Sequence, residues 1–84
     1  MEAIQKIQII RAKEVHQILS IGRSSLYKRI EDGLLPPSVN LGGRAVGFVE
    51  SEIQLVLKAL VAGKKQNEIK QLVVDLVNQR QSLL

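Results

Sequence analysis

The chain has 84 residues, a net charge of +4, no cysteine, and Tyr27 and Phe48 as its only aromatic side chains. That length allows one small core and excludes two independent domains. Disulfides and cysteine-ligated zinc are excluded by composition, and no apolar run approaches the roughly 20 residues that a membrane-crossing helix needs. The basic excess favours a polyanionic partner.

In chain order, residues 1–10 come first. Met1 to Ile7 lacks the charged start and apolar block of a signal peptide, so a cytoplasmic protein is expected. The partly alternating, β-branched run Ile4 to Ile10 reads as a short strand or an ordered arm. Ala12, Val15, Ile18 and Leu19 then recur at helical spacing, giving a helix of about two turns that stops around Ser20-Ile21-Gly22. Gly22 serves as N-cap of the next helix, a weaker cap than serine.

That second helix begins at Arg23-Ser24-Ser25-Leu26-Tyr27-Lys28-Arg29-Ile30-Glu31. At about 100° per residue, Leu26 and Ile30 face inward, Ser24, Ser25 and Lys28 face outward, and Tyr27 and Arg29 lie on the flanks. Gly33 ends it and Pro36-Pro37 forces extended backbone. Two short β-type segments, Ser38 to Leu41 and Val46 to Val49, flank Gly42-Gly43-Arg44-Ala45 and predict a tight hairpin. Glu50-Ser51-Glu52 opens a third helix, both acids read as favourable to the positive end of its dipole. Ile53, Val56, Leu57 and Leu60 form its inward stripe, and Gly63 ends it. A fourth helix follows a polar break, with Ile69, Leu72, Val73, Leu76 and Val77 as its stripe and Glu68, Lys70, Asp75 and Arg80 on its polar face.

Helix, turn, basic helix and hairpin, in that order, predict a mostly α-helical winged helix-turn-helix with one small hairpin and an added C-terminal helix. The division is 1–10 as arm or strand, 11–62 as the DNA-binding unit, and 63–84 as a helical extension. A helix entering a major groove about 12 Å wide reads bases with its N-terminal side chains. Arg23, Ser24, Ser25 and Lys28 suit base or phosphate contact, with Tyr27 and Arg29 as flanking contacts to the DNA backbone. Arg44, beside the glycines of the hairpin, suits a phosphate or the minor groove. Taken alone, a basic helix is more often a solvated face; the basic wing following it tips the reading toward double-stranded DNA.

These blocks also resemble the AlpA-type phage regulators, MerR-like winged-helix proteins related to excisionases. The resemblance rests on Lys13-Glu14-Val15, Arg23-Ser24-Ser25-Leu26-Tyr27, Gly33-Leu34-Leu35-Pro36, Leu41-Gly42-Gly43-Arg44 and Glu50-Ser51-Glu52-Ile53, from Arg11 to about Leu60. It implies sequence-specific DNA binding, as a transcriptional regulator or as a factor biasing a phage-type integrase toward excision. The chain departs from the pattern at Ser20-Ile21-Gly22, where the family has glycine, a hydrophobic residue and a capping serine. It also carries Ser25 for threonine and Phe48 for tryptophan, and the segment from Lys64 onward lies beyond the resemblance.

Other signals are weaker. His16 stands alone with no converging ligands and no nucleophile, and Gly42-Gly43 lacks the Gly-Lys-Ser/Thr of a phosphate loop. No enzyme, metal or cofactor is expected. The fourth helix packs either on the winged core or on a second copy, leaving a homodimer open; Gln79 interrupts any long heptad seam. A rival reading is a protein-interaction module for an integrase or another regulatory protein, and a DNA-packaging subunit with a similar winged domain is a third.

Overall fold

The computed structural model describes residues 7–83; most of the expected N-terminal arm, residues 1–6, lies outside them. The elements are β1 (Ile9–Ile10), α1 (Ala12–Leu19), α2 (Arg23–Glu31), β2 (Val39–Gly42), β3 (Ala45–Val49), α3 (Glu50–Val61) and α4 (Gln66–Gln79). A 3-10 turn, Arg80–Leu83, closes the described chain. This is the mostly helical architecture with a small sheet that the sequence predicts, and the hairpin gains a third strand. Its strand order is β1-β3-β2, antiparallel throughout.

The hairpin strand β3 is therefore central. Ile9 pairs with Val49 and Ile10 with Phe48, and the Glu50 amide donates to the Gln8 carbonyl at 2.9 Å, carrying the ladder to the start of α3. Such close strand approach needs a residue without a side chain at Gly47. A Cβ there would collide with Ile9 Cγ2 and lie 3.3 Å from the Ile10 carbonyl oxygen.

α1 and α2 meet through a left-handed residue. Ser20 adopts φ 54° and ψ 43°, the only non-glycine residue with positive φ among those described. Gly22 holds the extended N-cap conformation before α2. α2 then ends in a Schellman turn: the Gly33 amide donates to the Ile30 carbonyl and the Leu34 amide to the Arg29 carbonyl, at 3.1 and 2.8 Å. Gly33, at φ 79°, supplies the left-handed conformation this closure requires.

One core joins all the elements except β2. Ile10, Val15, Leu26, Leu35, Phe48, Ile53 and Val56 form it together with Ile69, Val73 and Leu76 of α4. The apolar stripe of α4 is thus buried within this chain. Three expectations need correction. Leu60, read as inward, is 39% exposed near the C-terminal end of α3. Glu52, read as a dipole acid, is buried, and Arg80 is not on a solvated face.

Those two residues form a fork. Arg80 Nε donates to Glu52 Oε2 at 2.9 Å and Nη2 to Oε1 at 2.6 Å, while Nη2 also donates to the Pro37 carbonyl at 2.8 Å. A planar guanidinium matches a carboxylate in this bidentate way, and charge-assisted bonds are the stronger kind. The hydrogen bond to Glu52 raises the Arg80 pKa above its ordinary value, against the opposing effect of burial. One side chain from the end of α4 therefore ties the start of α3 to the connector leading from α2 into β2.

Candidate nucleic-acid interface

The surface is built on α2. Leu26 at its centre is fully buried and Ile30 packs against the core, so the helix has one inward edge. The opposite side follows from the 3.6-residue period. Arg23, Ser24, Ser25 and Lys28 are all exposed, as is Tyr27 at 54%. Arg29 is half-buried, and its backbone carbonyl takes the Leu34 amide that closes the helix. Short hydroxyl side chains at the start of α2 leave its backbone unobstructed, and the cations flank them.

The second component is the β2–β3 hairpin. Gly42 pairs with Ala45, so Gly43 and Arg44 are the two turn residues. Gly43 takes the first position at φ 56°, the conformation that favours glycine there and accepts another residue after it. Arg44 is thus at the hairpin tip itself, and it is exposed. Just before the turn the register shifts between Asn40 and Gly42. The Gly42 amide donates to Asn40 Oδ1 at 2.8 Å across that bulge. A bulge of this kind re-aims the end of a strand.

Arg11 is exposed and also meets the hairpin. Its backbone amide donates to Glu14 Oε1 at 2.8 Å, and its Nη1 donates to the Val46 carbonyl on β3 at 3.1 Å. That second bond fastens the start of α1 to the hairpin strand β3. Its partner is 35 positions away, so no local pattern could have shown it.

The charges on the surface are not equally free. Lys28 Nζ lies 3.0 Å from Asp32 Oδ1. Among the described residues, Arg23, Arg29 and Arg44 form no ion pair. No side-chain hydrogen bond or ion pair joins any two of Arg23, Ser24, Ser25, Tyr27, Lys28, Arg29 and Arg44. They form a polar, cationic surface on two elements, without a preassembled cluster.

His16 is half-buried on α1, and both ring nitrogens are shut off from solvent without a hydrogen-bond partner. Among the described residues, no three histidine or carboxylate side chains group so as to hold a metal ion. No described helix is long and apolar enough to cross a membrane.

Residues 8–55 match the family described as prophage CP4-57 regulatory protein (AlpA). A relative in Enterobacteria phage P4, the uncharacterized protein ORF88, is 33% identical over 63 residues, covering 75% of this chain and 72% of that one. No solved structure matches. The matched span runs from the residue before β1 into α3 and takes in α2 and the whole hairpin. The chain belongs to the AlpA family of prophage regulatory proteins.

Proposed function

We propose that this protein is a sequence-specific DNA-binding regulator that inserts α2 into the major groove and rests the Gly43-Arg44 tip on the adjoining backbone. The observation that carries this reading is the division of α2. Leu26 is fully buried, while Ser24, Ser25 and Lys28 on the other side, and Arg23 at the first position of the helix, are exposed. Arg23, Ser24, Ser25 and Lys28 contact bases or phosphates, Tyr27 and Arg29 set the helix against the sugar-phosphate backbone, and Arg44 anchors the wing. These roles need no catalytic group and no cofactor, and they are exercised on DNA in the cytoplasm.

Residues 11–62 carry the contacts in this scheme and 63–84 brace them, with Ile9–Ile10 as the ordered end of the N-terminal arm. Support for the brace comes from Ile69, Val73 and Leu76 in the shared core and from the Arg80 fork on Glu52. A homodimer, or a complex with an integrase, would have to use a face other than that buried stripe.

Binding is tested by selecting duplexes from a random pool with the purified chain, then titrating salt. Neutralising four to six phosphates predicts that log affinity falls against log salt with a slope of about −4 to −5. An affinity indifferent to salt, or a pool with no enriched sequence, would refute the proposal. Light scattering on the complex distinguishes one copy per site from two.

A further inference from the structure

The Lys28–Asp32 pair stands on the surface assigned to DNA, and it is poorly suited to supporting the helix. Asp32 is the C-cap of α2, at the negative end of the helix dipole, where an acid is unfavourable. Lysine preceding the acid by four residues is also the weaker of the two orders for such a pair. Nor does the helix end need the carboxylate. The Gly33 and Leu34 amides close it through backbone bonds to Ile30 and Arg29. Both side chains are well exposed, at 68% for Lys28 and 39% for Asp32, so the pair adds little to stability.

We propose that Asp32 is a specificity-determining residue, holding the Lys28 ammonium away from phosphates while leaving it able to donate to neutral acceptors on base edges. The proposal rests on α2 being the helix that reads DNA. An ammonium carries three hydrogens; at 3.0 Å from Nζ, Asp32 occupies one and two remain. A phosphate approaching them meets a pair whose net charge is near zero, with an anion beside it. A guanine O6 or N7 carries no net charge and accepts a hydrogen bond from the same ammonium. The carboxylate thus subtracts the sequence-independent attraction and leaves the directional contact.

The test uses the full chain as wild type, Asp32→Asn, Lys28→Met and the double variant. The probes are the duplex enriched by selection and a scrambled duplex of equal length and composition. Anisotropy titrations over a salt series give affinity and slope, and thermal melts verify folding; Asp32→Asn should melt no lower than wild type, since it removes an acid from the C-cap. A close charge pair in water is worth about fivefold in affinity. Asp32→Asn should therefore tighten scrambled DNA about fivefold and steepen its salt slope by about 0.9, one more phosphate contact. The selected duplex should change by less than about twofold, so discrimination falls. In the Lys28→Met background, Asp32→Asn should have a clearly smaller effect, leaving only the carboxylate's own repulsion of phosphate.

Equal tightening on both duplexes would overturn the proposal, since general repulsion would then account for it. So would a gain undiminished without Lys28, or no gain while wild type binds with the expected salt slope. If wild type binds no duplex in a salt-dependent way, the DNA reading itself falls, and this inference with it.

Discussion

Exchanging the residues that flank Ile21, by Ser20→Gly with Gly22→Ser, should stabilise the α1–α2 turn. Ser20 holds φ 54° and ψ 43°, where a Cβ crowds the following carbonyl at a cost of roughly 1–2 kcal/mol. Its side chain forms no hydrogen bond among the described residues, so glycine relieves that strain without losing a contact. Glycine also widens the unfolded ensemble, which returns about 0.4–1 kcal/mol, leaving a net gain of about 0.5–1 kcal/mol. At Gly22 the signs run the other way. Its backbone is at φ −78° and ψ 172°, normal for an N-cap, and an added Cβ meets nothing within 4 Å. Serine there should gain a few tenths of a kcal/mol in all, its narrower unfolded ensemble included. The double variant should gain about 1 kcal/mol, a rise in Tm of roughly 4–8 °C for a domain of this size. Melts followed by circular dichroism and calorimetry measure it, with Ser20→Ala as control. Alanine keeps the Cβ, so it should stay within about 0.5 kcal/mol of wild type. Ser20→Gly no more stable than Ser20→Ala would refute the strain argument, and Gly22→Ser below wild type would refute the capping argument.

Three further outcomes follow from the packing. Glu52→Gln or Arg80→Met should each destabilise by about 3 kcal/mol in urea unfolding, by leaving a shielded partner unpaired. Arg80→Lys should recover little of this, because an ammonium cannot fork a carboxylate. Gly47→Ala should cost at least about 1–3 kcal/mol, since its Cβ collides with Ile9 Cγ2 on β1; a neutral result would mean that β1 yields freely. Truncation after residue 64 removes Ile69, Val73 and Leu76 from the core. At about 1.5–3 kcal/mol for each buried side chain, that loss rivals a small domain's whole stability of about 5–15 kcal/mol. The truncated chain should show no cooperative melt.

The parts legible in the sequence are those held by neighbours along the chain. Leu26 and Ile30 mark the buried edge of α2 through their four-residue spacing, and Gly33 before Pro36 marks its end. The hairpin follows from glycines between β-branched segments. A strand or arm is legible in the run Ile4 to Ile10, but not the pairing of Ile9–Ile10 with Phe48 and Val49, which spans almost 40 positions. The placement of Arg44 at the tip also needed the structure, since the register shift moves the turn by one residue from a Gly-Gly centre. The charged fork was missed for a plainer reason. Arg80 stands four residues after Leu76 and seven after Val73, and Glu52 stands four before Val56, so both lie on buried stripes. Their charge led to a surface reading where their spacing pointed inward. Opposite charges on two facing stripes were a usable signal for a pair.

The limit of the AlpA family match and the limit of the folded unit fall in different places. The matched span ends at residue 55, inside α3, yet Val56 and three residues of α4 complete the core beneath it. The consequence for α2 is specific. Its N-cap supplies no side-chain bond, and of its apolar residues only Leu26 is fully buried, so its position depends on what fixes its far end. There Leu35 and Pro36 are fully buried, and the next carbonyl, Pro37, accepts from Arg80. The same guanidinium is held by Glu52 at the start of α3. The exposed face of α2 is thus oriented partly by residues outside the matched span. Removing the fork should loosen the α2–β2 connector before the rest of the core. Amide exchange at Leu34 and Leu35 would register this as lost protection in Arg80→Met, while Val15 and Val56 stay protected to the global limit. Uniform loss across all four amides would instead make the fork a contributor to overall stability alone, with no particular hold on the connector.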